Sequence, residues 1–260
     1  MGTVRYETEN GIARLVLDQP QKMNAMSYEM WASLPDLVAR AEADREVRAI
    51  VVAGEGGRAF CAGADISQFG EKRDSATETR AYDEAYLQGC AALVQAAKPT
   101  IALIRGICFG GGFGLAMSCD LRLARADSRF RIPAARLGLG YAYEGVRMLV
   151  AKLGFGPASD LLLSARIITG EEALRLGVVT ALWGAESFEQ EACDYLARIA
   201  GNAPLTLRAL KHALSELTRP ESERDIAAVE ASIAACFSST DYREGQRAFK
   251  EKREPAFTGE

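Results

Sequence analysis

Short apolar, β-rich runs recur along the first half of the chain at residues 12–17, 47–53, 100–104 and 121–124, and two long helical patterns, residues 27–44 and 77–97, lie between them. This alternation restricts the fold more than any other feature. Strands that alternate with helices predict an α/β core, because each helix buries its apolar stripe on a sheet face. Pro35 falls inside the first helical pattern and predicts a kink or a split there. Beyond about residue 140 the strand signal fades. Leu161 opens a helical region that continues, apart from a short run at 178–182, to residue 250. Thr169-x-x-Glu172 and Asp241-x-x-Glu244 both have capping-box spacing and predict helix starts. No internal sequence repeat and no low-complexity linker is visible. The expectation is a core at residues 1–200 with a helical subdomain at 201–260, acting as one functional unit.

Composition narrows the function. Hydrophobic residues make up 48% of the 260 and charged ones 25%, enough for a sizeable buried core. With 31 basic against 35 acidic side chains there is no overall basic field for nucleic acid. The first twenty residues have neither a secretory nor a transit-peptide layout, and every apolar run is broken before the length of a membrane span. Cys61, Cys90, Cys108, Cys119, Cys193 and Cys236 are scattered without a CxxC pair, and there is one histidine. Free thiols in a reducing, cytoplasmic setting are therefore expected, with no metal site.

Two glycine-bearing segments carry the chemistry. Arg58-Ala-Phe-Cys-Ala-Gly-Ala-Asp-Ile66 follows the second apolar run, and Gly106-Ile-Cys-Phe-Gly-Gly-Gly-Phe-Gly-Leu-Ala-Met117 follows the third. Each reads as a strand end turning through glycine into a helix. Glycine lets a ligand lie against the backbone, and the first N–H groups of a helix have no partner within it. Two such N–H groups converging from two loops make an oxyanion hole. Tight turns that only permit close packing are the other reading. Gly110-x-Gly112 lacks the third glycine of a dinucleotide fingerprint, since Leu115 stands there, and no P-loop motif occurs.

Phe60-Cys-Ala-Gly-Ala-Asp-Ile66, followed by Gly110-Gly-Gly-x-x-Leu-Ala and Cys119-Asp120, resembles the paired signature of the enoyl-CoA hydratase/isomerase (crotonase) superfamily. Further matches run along the chain: Pro20-x-x-x-Asn24-Ala25, Lys98-Pro-Thr100, Gly170-Glu-Glu-Ala-Leu-x-x-Gly-Val-Val179, and the end from Glu244 to Phe257. The resemblance implies a ββα spiral core with a C-terminal helical trimerisation subdomain, assembled as a homotrimer or dimer of trimers. It implies an acyl-CoA lyase or isomerase of fatty acid metabolism, with coenzyme A as part of the substrate and no prosthetic group. Carried over residue by residue, the N–H groups of Ala64 and Gly111 hold the thioester carbonyl. Ala25, Ala62, Asp65 and Ile66 line the coenzyme A groove. Phe249 and Lys252 match positions that reach the adenine and the 3′-phosphate, often across a trimer contact. An ammonium suits a phosphate; a solvated helix face is the other reading of Lys252. Residues 68–79 are expected to shape the acyl pocket.

The sequence departs from the family at the acids. Hydratases of the family use two glutamates, and the matching positions hold Gly114 and Ala134. Loss of one general acid or base costs ~10²–10⁴-fold. Two residues of the 138–146 segment are candidates to compensate. Glu144 lies near the single base of some family isomerases, and apolar enclosure would raise its pKa; its alternative is a first-turn carboxylate stabilised by the helix dipole. Tyr141 falls where malonyl-type decarboxylases of the family carry a tyrosine that helps seat a carboxylate; its alternative is wall packing. Arg131 and Arg136 are either partners for such a carboxylate or surface residues. His212 is remote from the glycine segments, Asp120 reads as structural, and Trp31 and Trp183 read as packing. Three functions follow: a hydratase/isomerase reaction through Glu144, a decarboxylation through Tyr141, or non-catalytic acyl-CoA binding.

Overall fold

The computed structural model describes residues 2–65 and 76–260. Ile66 and residues 68–75 of the expected acyl-pocket segment lie outside the described residues. The chain opens with a hairpin, β1 (Thr3–Glu9) and β2 (Ile12–Asp18), followed by α1 (Tyr28–Ala43). Then a pattern repeats. β3 (Ala49–Gly54) turns into the short β4 (Ala59–Cys61) before α2 (Ala76–Gln95). β5 (Thr100–Ile104) turns into β6 (Ile107–Phe109) before α3 (Gly111–Ser118). β7 (Leu121–Arg125) turns into β8 (Arg129–Arg131) before α4 (Ala134–Leu137), α5 (Tyr143–Leu153) and α6 (Phe155–Ser164). The chain closes with β9 (Ile168–Thr169), α7 (Gly170–Arg175), β10 (Ala181–Trp183), α8 (Phe188–Ala200), α9 (Pro204–Glu216), α10 (Ile226–Ser238) and α11 (Thr240–Glu251).

Each ββα unit contributes its first strand to one sheet and its second to another. Among the described residues, one sheet has the order β1-β2-β3-β5-β7-β10 and the other β4-β6-β8-β9. Pairing is parallel except for β1 with β2 and β8 with β9. The repeat is one of topology without sequence similarity, so the primary structure hides it. Ile50 and Val52 of β3 enter a core with Trp31, Phe60, Phe113 and Phe130, while Ala49 and Val51 enter a second core with Phe188 and Leu196 of α8. Burial on both faces explains why the strands read as unbroken apolar runs.

Several local expectations need correction. Pro35 does not split α1, which runs unbroken from Tyr28 to Ala43. The carbonyl that the missing N–H would have engaged, Trp31 O, lies against the Gly89 backbone of α2, where an added Cβ would come within 3.2 Å of it. The helical region after β8 begins at Ala134, ahead of Leu161. Thr169 does cap α7, its side chain accepting from Glu172 N at 3.2 Å. Asp241-x-x-Glu244 is no cap. Ser239 caps α11 by accepting from Tyr242 N at 3.0 Å, and the carboxylate of buried Asp241 instead accepts from Thr258 N and Gly259 N of the C-terminal tail.

Buried lysines fasten the helices to the sheet. Lys98 donates to Ala41 O and Asp44 O, both at 2.6 Å, closing the C-terminal end of α1. Lys211 of α9 meets Asp120 at 2.8 Å and donates to Lys98 O at 2.9 Å. Asp120 also accepts from Thr100 N at 2.7 Å. The Lys98-Pro-Thr100 and Cys119-Asp120 motifs are thus a scaffold that holds the C-terminal helices. No helix of the described residues is long and apolar enough to cross a membrane. Lys211→Met removes the ammonium and leaves Asp120 and Lys98 O without it. The expected loss is about 2 kcal/mol, below the usual cost of breaking a buried pair because Asp120 is partly solvated, measurable as a lower urea midpoint at unchanged m-value.

Candidate active site

The β4 end and the residues after η1 (Pro20–Lys22) are laced together. Met23 and Asn24 take left-handed backbone angles, φ 53° and 55°. Ala62 N then donates to Met23 O at 3.0 Å, Met26 N to Gly63 O at 2.8 Å and Asp65 N to Met26 O at 2.9 Å. This bridge brings the candidates Ala25, Ala62, Ala64 and Asp65 side by side. The Asn24 amide donates to Glu55 O and Ala59 O, fixing the loop from below. The buried Asp65 carboxylate accepts from Lys22 Nζ at 2.7 Å and Gln19 Nε2 at 3.1 Å. Its charge therefore serves to hold the two segments together.

The second glycine segment arrives from β6. Gly110 N donates to Arg131 O at 2.9 Å, and Gly110 then turns at φ 52° into α3. Gly63, at φ 110°, faces it across the gap. A Cβ on Gly63 would lie 3.5 Å from Gly111 N, and a Cβ on Gly111 would lie 3.8 Å from Ala64 N. The two loops therefore meet backbone to backbone with no side chain between them. Gly111 is the first residue of α3, so its N–H has no acceptor within the helix. The bridge to Met26 uses Gly63 O and Asp65 N and passes over the N–H of Ala64. Both N–H groups are donors without an acceptor among the described residues.

Aromatic rings from α1 and α2 support this junction, and the sequence reading missed their position. A Cβ on Gly111 would approach Trp31 Cζ2 at 3.3 Å. Trp31 Nε1 donates to Tyr82 Oη at 3.0 Å, and Tyr82 Oη donates to Met26 O at 2.8 Å, at the bridge itself. Trp31 and Tyr86 stand edge to face with ring centroids 5.0 Å apart. Tyr82 and Tyr86 are one helical turn apart on α2, a spacing that puts both on one face and was legible as such. Tyr141 packs against this core, and burial pushes its phenol up to about 12, the nearby Cys90 adding to the rise. It stays protonated near neutral pH. Burial likewise raises the thiols of Cys61 and Cys119 to about 12 and that of Cys90 to about 11, so these cysteines are poor nucleophiles.

The apolar enclosure expected around Glu144 is not found. Glu144 sits in the first turn of α5 with 64% of its side chain exposed and pairs with Arg147 at 2.7 Å. Arg131 donates to Ala165 O at 2.7 Å, and Arg136 is exposed. Phe249 and Lys252 are exposed at the end of α11, which packs chiefly on α10. Among the described residues no group of three His, Cys, Asp or Glu side chains is arranged to hold a metal ion.

Comparison with known proteins agrees with this geometry. Residues 7–260 match the family model described as Enoyl-CoA hydratase/isomerase. The chain is 32% identical over 252 residues to crotonyl-CoA hydratase of Syntrophomonas wolfei, covering 96% of each chain. It is 30% identical over 253 residues to short-chain-enoyl-CoA hydratase of Clostridium acetobutylicum, covering 97% of this chain and 96% of that one. The crystal structure of an enoyl-CoA hydratase/carnithine racemase from Magnetospirillum magneticum superimposes with a TM-score of 0.92 at 31% identity, over 100% of this chain and 97% of the other. The ββα spiral is therefore that of the crotonase superfamily, and the chain belongs to the enoyl-CoA hydratase/isomerase family, whose members act on coenzyme A thioesters.

Proposed function

We propose that the chain forms the enolate of an acyl-CoA thioester, with the thioester oxygen held between the N–H groups of Ala64 and Gly111. The observation that supports this reading is the backbone contact of the Gly63 and Gly111 loops, at which neither Ala64 N nor Gly111 N has an acceptor among the described residues. Each such donor is worth ~10²–10³-fold in rate, because charge develops on that oxygen during the reaction.

The rest of the reaction follows from what surrounds the donors. Positions 114 and 134 supply no carboxylate, and Glu144 is engaged by Arg147 in solvent. Decarboxylation of a malonyl-type acyl-CoA makes the enolate without a base. The bond from the α-carbon to the carboxylate breaks, its electron pair moves into the enolate, CO₂ leaves, and a solvent proton then restores the thioester. Tyr141, with a phenol that stays protonated, is suited to seating the departing carboxylate. The second reading, hydration or isomerisation with Glu144 as the base, is favoured by the hydratase names of the relatives. It requires Glu144 to leave Arg147 and turn inward.

Assembly as a homotrimer or dimer of trimers belongs to the same proposal, with residues 201–260 as the associating subdomain. Leu210, Leu214, Leu217 and Phe237 form exposed apolar surface on α9, α10 and the turn between them. In that arrangement Phe249 and Lys252 reach the coenzyme A adenine and 3′-phosphate of a neighbouring copy, while Ala25, Ala62 and Asp65 line the groove. Buried, unpaired cysteines suit a cytoplasmic enzyme.

Turnover of crotonyl-, 3-enoyl-, malonyl- and methylmalonyl-CoA separates the readings. The expected result is CO₂ release from a malonyl-type substrate that survives Glu144→Gln. Crotonyl-CoA hydration abolished by Glu144→Gln would favour the second reading. Tight binding with no turnover, and no α-proton exchange of a saturated acyl-CoA in D₂O, would make the protein a non-catalytic binder and overturn the proposal. Replacing the Gly110–Gly111 amide by an ester, with glycolate in place of Gly111, deletes one donor and adds no Cβ at this crowded contact. It is expected to lower kcat/KM ~10²–10³-fold for whichever substrate turns over, with the far-UV spectrum unchanged.

A further inference from the structure

Gly114 lies one turn after Gly111 on the same face of α3, and both glycines are covered by rings instead of side chains of their own. A Cβ on Gly114 would fall 2.1 Å from the Tyr86 hydroxyl and 3.3 Å from Cζ of that ring. Two atoms cannot share that space. The place into which a residue at 114 would project is thus already filled, and what fills it is a phenolic oxygen brought by α2. Cys90 lies near the Tyr86 hydroxyl, and Ser118 Oγ donates to Gly114 O at 2.9 Å. The edge-to-face contact with Trp31 holds the ring from its other side. Side-chain positions three apart on a helix are ~5–6 Å apart, so this hydroxyl lies about one side-chain spacing along α3 from the donor at Gly111.

A glutamate at 114 would present negative charge there. The phenol is neutral, since burial among Cys90 and Tyr141 keeps it protonated. A neutral hydroxyl accepts the approach of an anion that a carboxylate would repel, and hydrogen bonds to a charged acceptor are the stronger kind. We infer that Tyr86 replaces the side chain of position 114 and selects acyl-CoA substrates whose α-carbon carries a carboxylate, as in malonyl-type acyl groups. This names a specificity residue for the malonyl-type substrate of the proposed site, and rests on that site being where the acyl group lies. Tyr86 and a side chain at 114 are mutually exclusive, which couples α2 to α3 in the choice of substrate.

Two unreactive thioethers, 2-carboxyethyl-CoA and propyl-CoA, have the same length and differ only in the terminal carboxylate. Neither has a thioester carbonyl, so their binding does not depend on the Ala64 and Gly111 donors. A failure here is thereby distinguishable from a failure of the enolate reading, which the amide-to-ester change at position 111 tests. By titration calorimetry, the protein is expected to bind the carboxyethyl thioether about tenfold or more tightly than the propyl one, the usual range for a hydrogen bond to a charged group. Tyr86→Phe keeps the ring and removes the hydroxyl. It is expected to lower that preference about threefold or more while leaving propyl-CoA affinity and the melting temperature unchanged, and Tyr141→Phe measured in parallel gives the share of the second phenol. No preference in the parent protein, or a preference unchanged in Tyr86→Phe, overturns the inference. The exclusion has its own check: Gly114→Glu should lower the melting temperature, and Tyr86→Ala/Gly114→Glu should recover it. A Gly114→Glu protein that melts like the parent would show that Tyr86 does not hold that place.

Discussion

The close approach of Gly63 to Gly110 and Gly111 is the contact on which the rest of the molecule depends. A side chain on Gly63 would meet Phe109 O at 3.2 Å, and a side chain on Gly111 would meet Trp31. Only residues without Cβ let the end of β4 and the start of α3 touch through their backbones. That contact spends no hydrogen bonds, and among the described residues Ala64 N and Gly111 N have no acceptor. The neighbouring pairing does the holding: Gly63 O and Asp65 N bind Met26, Tyr82 ties Met26 to Trp31, and Gly110 N binds Arg131 O. Rigid surroundings with unspent donors are the arrangement in which an electrostatic site costs little reorganisation when charge appears.

The same glycines bring aromatic rings close to the junction. Trp31 lies beneath Gly111 and Tyr86 beneath Gly114, edge to face with one another. The space that a side chain at 114 would take is filled by the Tyr86 phenol, so α2 supplies a polar ring where α3 has no side chain of its own.

Much of this was legible in the sequence. The strands at 12–17, 47–53, 100–104 and 121–124 each appear within a residue or two of their expected ends, because burial on both faces writes them as continuous apolar runs. The two glycine segments were readable as strand-to-helix turns, and their pairing came from the resemblance. Other features were hidden for physical reasons. β4, β6 and β8 are three residues long, too short for a periodic signal, so the second sheet and the ββα repeat did not show. Pro35 suggested a broken helix because the sequence cannot say that Gly89 shelters the freed carbonyl of Trp31. Asp241 and Glu244 had the spacing of a cap but serve the C-terminal tail, a contact with residues distant in sequence. Glu144 attracted notice as the one carboxylate of its segment, yet Arg147 one turn on competes for it. Tyr86 drew none, since a tyrosine in an amphipathic helix looks like packing until Gly114 is seen opposite.

Vibrational spectroscopy of a bound thioester addresses the central claim most directly. The carbonyl stretch of a saturated acyl-CoA, isolated by ¹³C labelling at that carbon, reports hydrogen bonding to its oxygen. Two backbone donors converging there predict a clear fall in frequency on binding, partly reversed when the Gly110–Gly111 amide is replaced by an ester. A labelled carbonyl that is fully bound yet vibrates as it does in water would contradict the account.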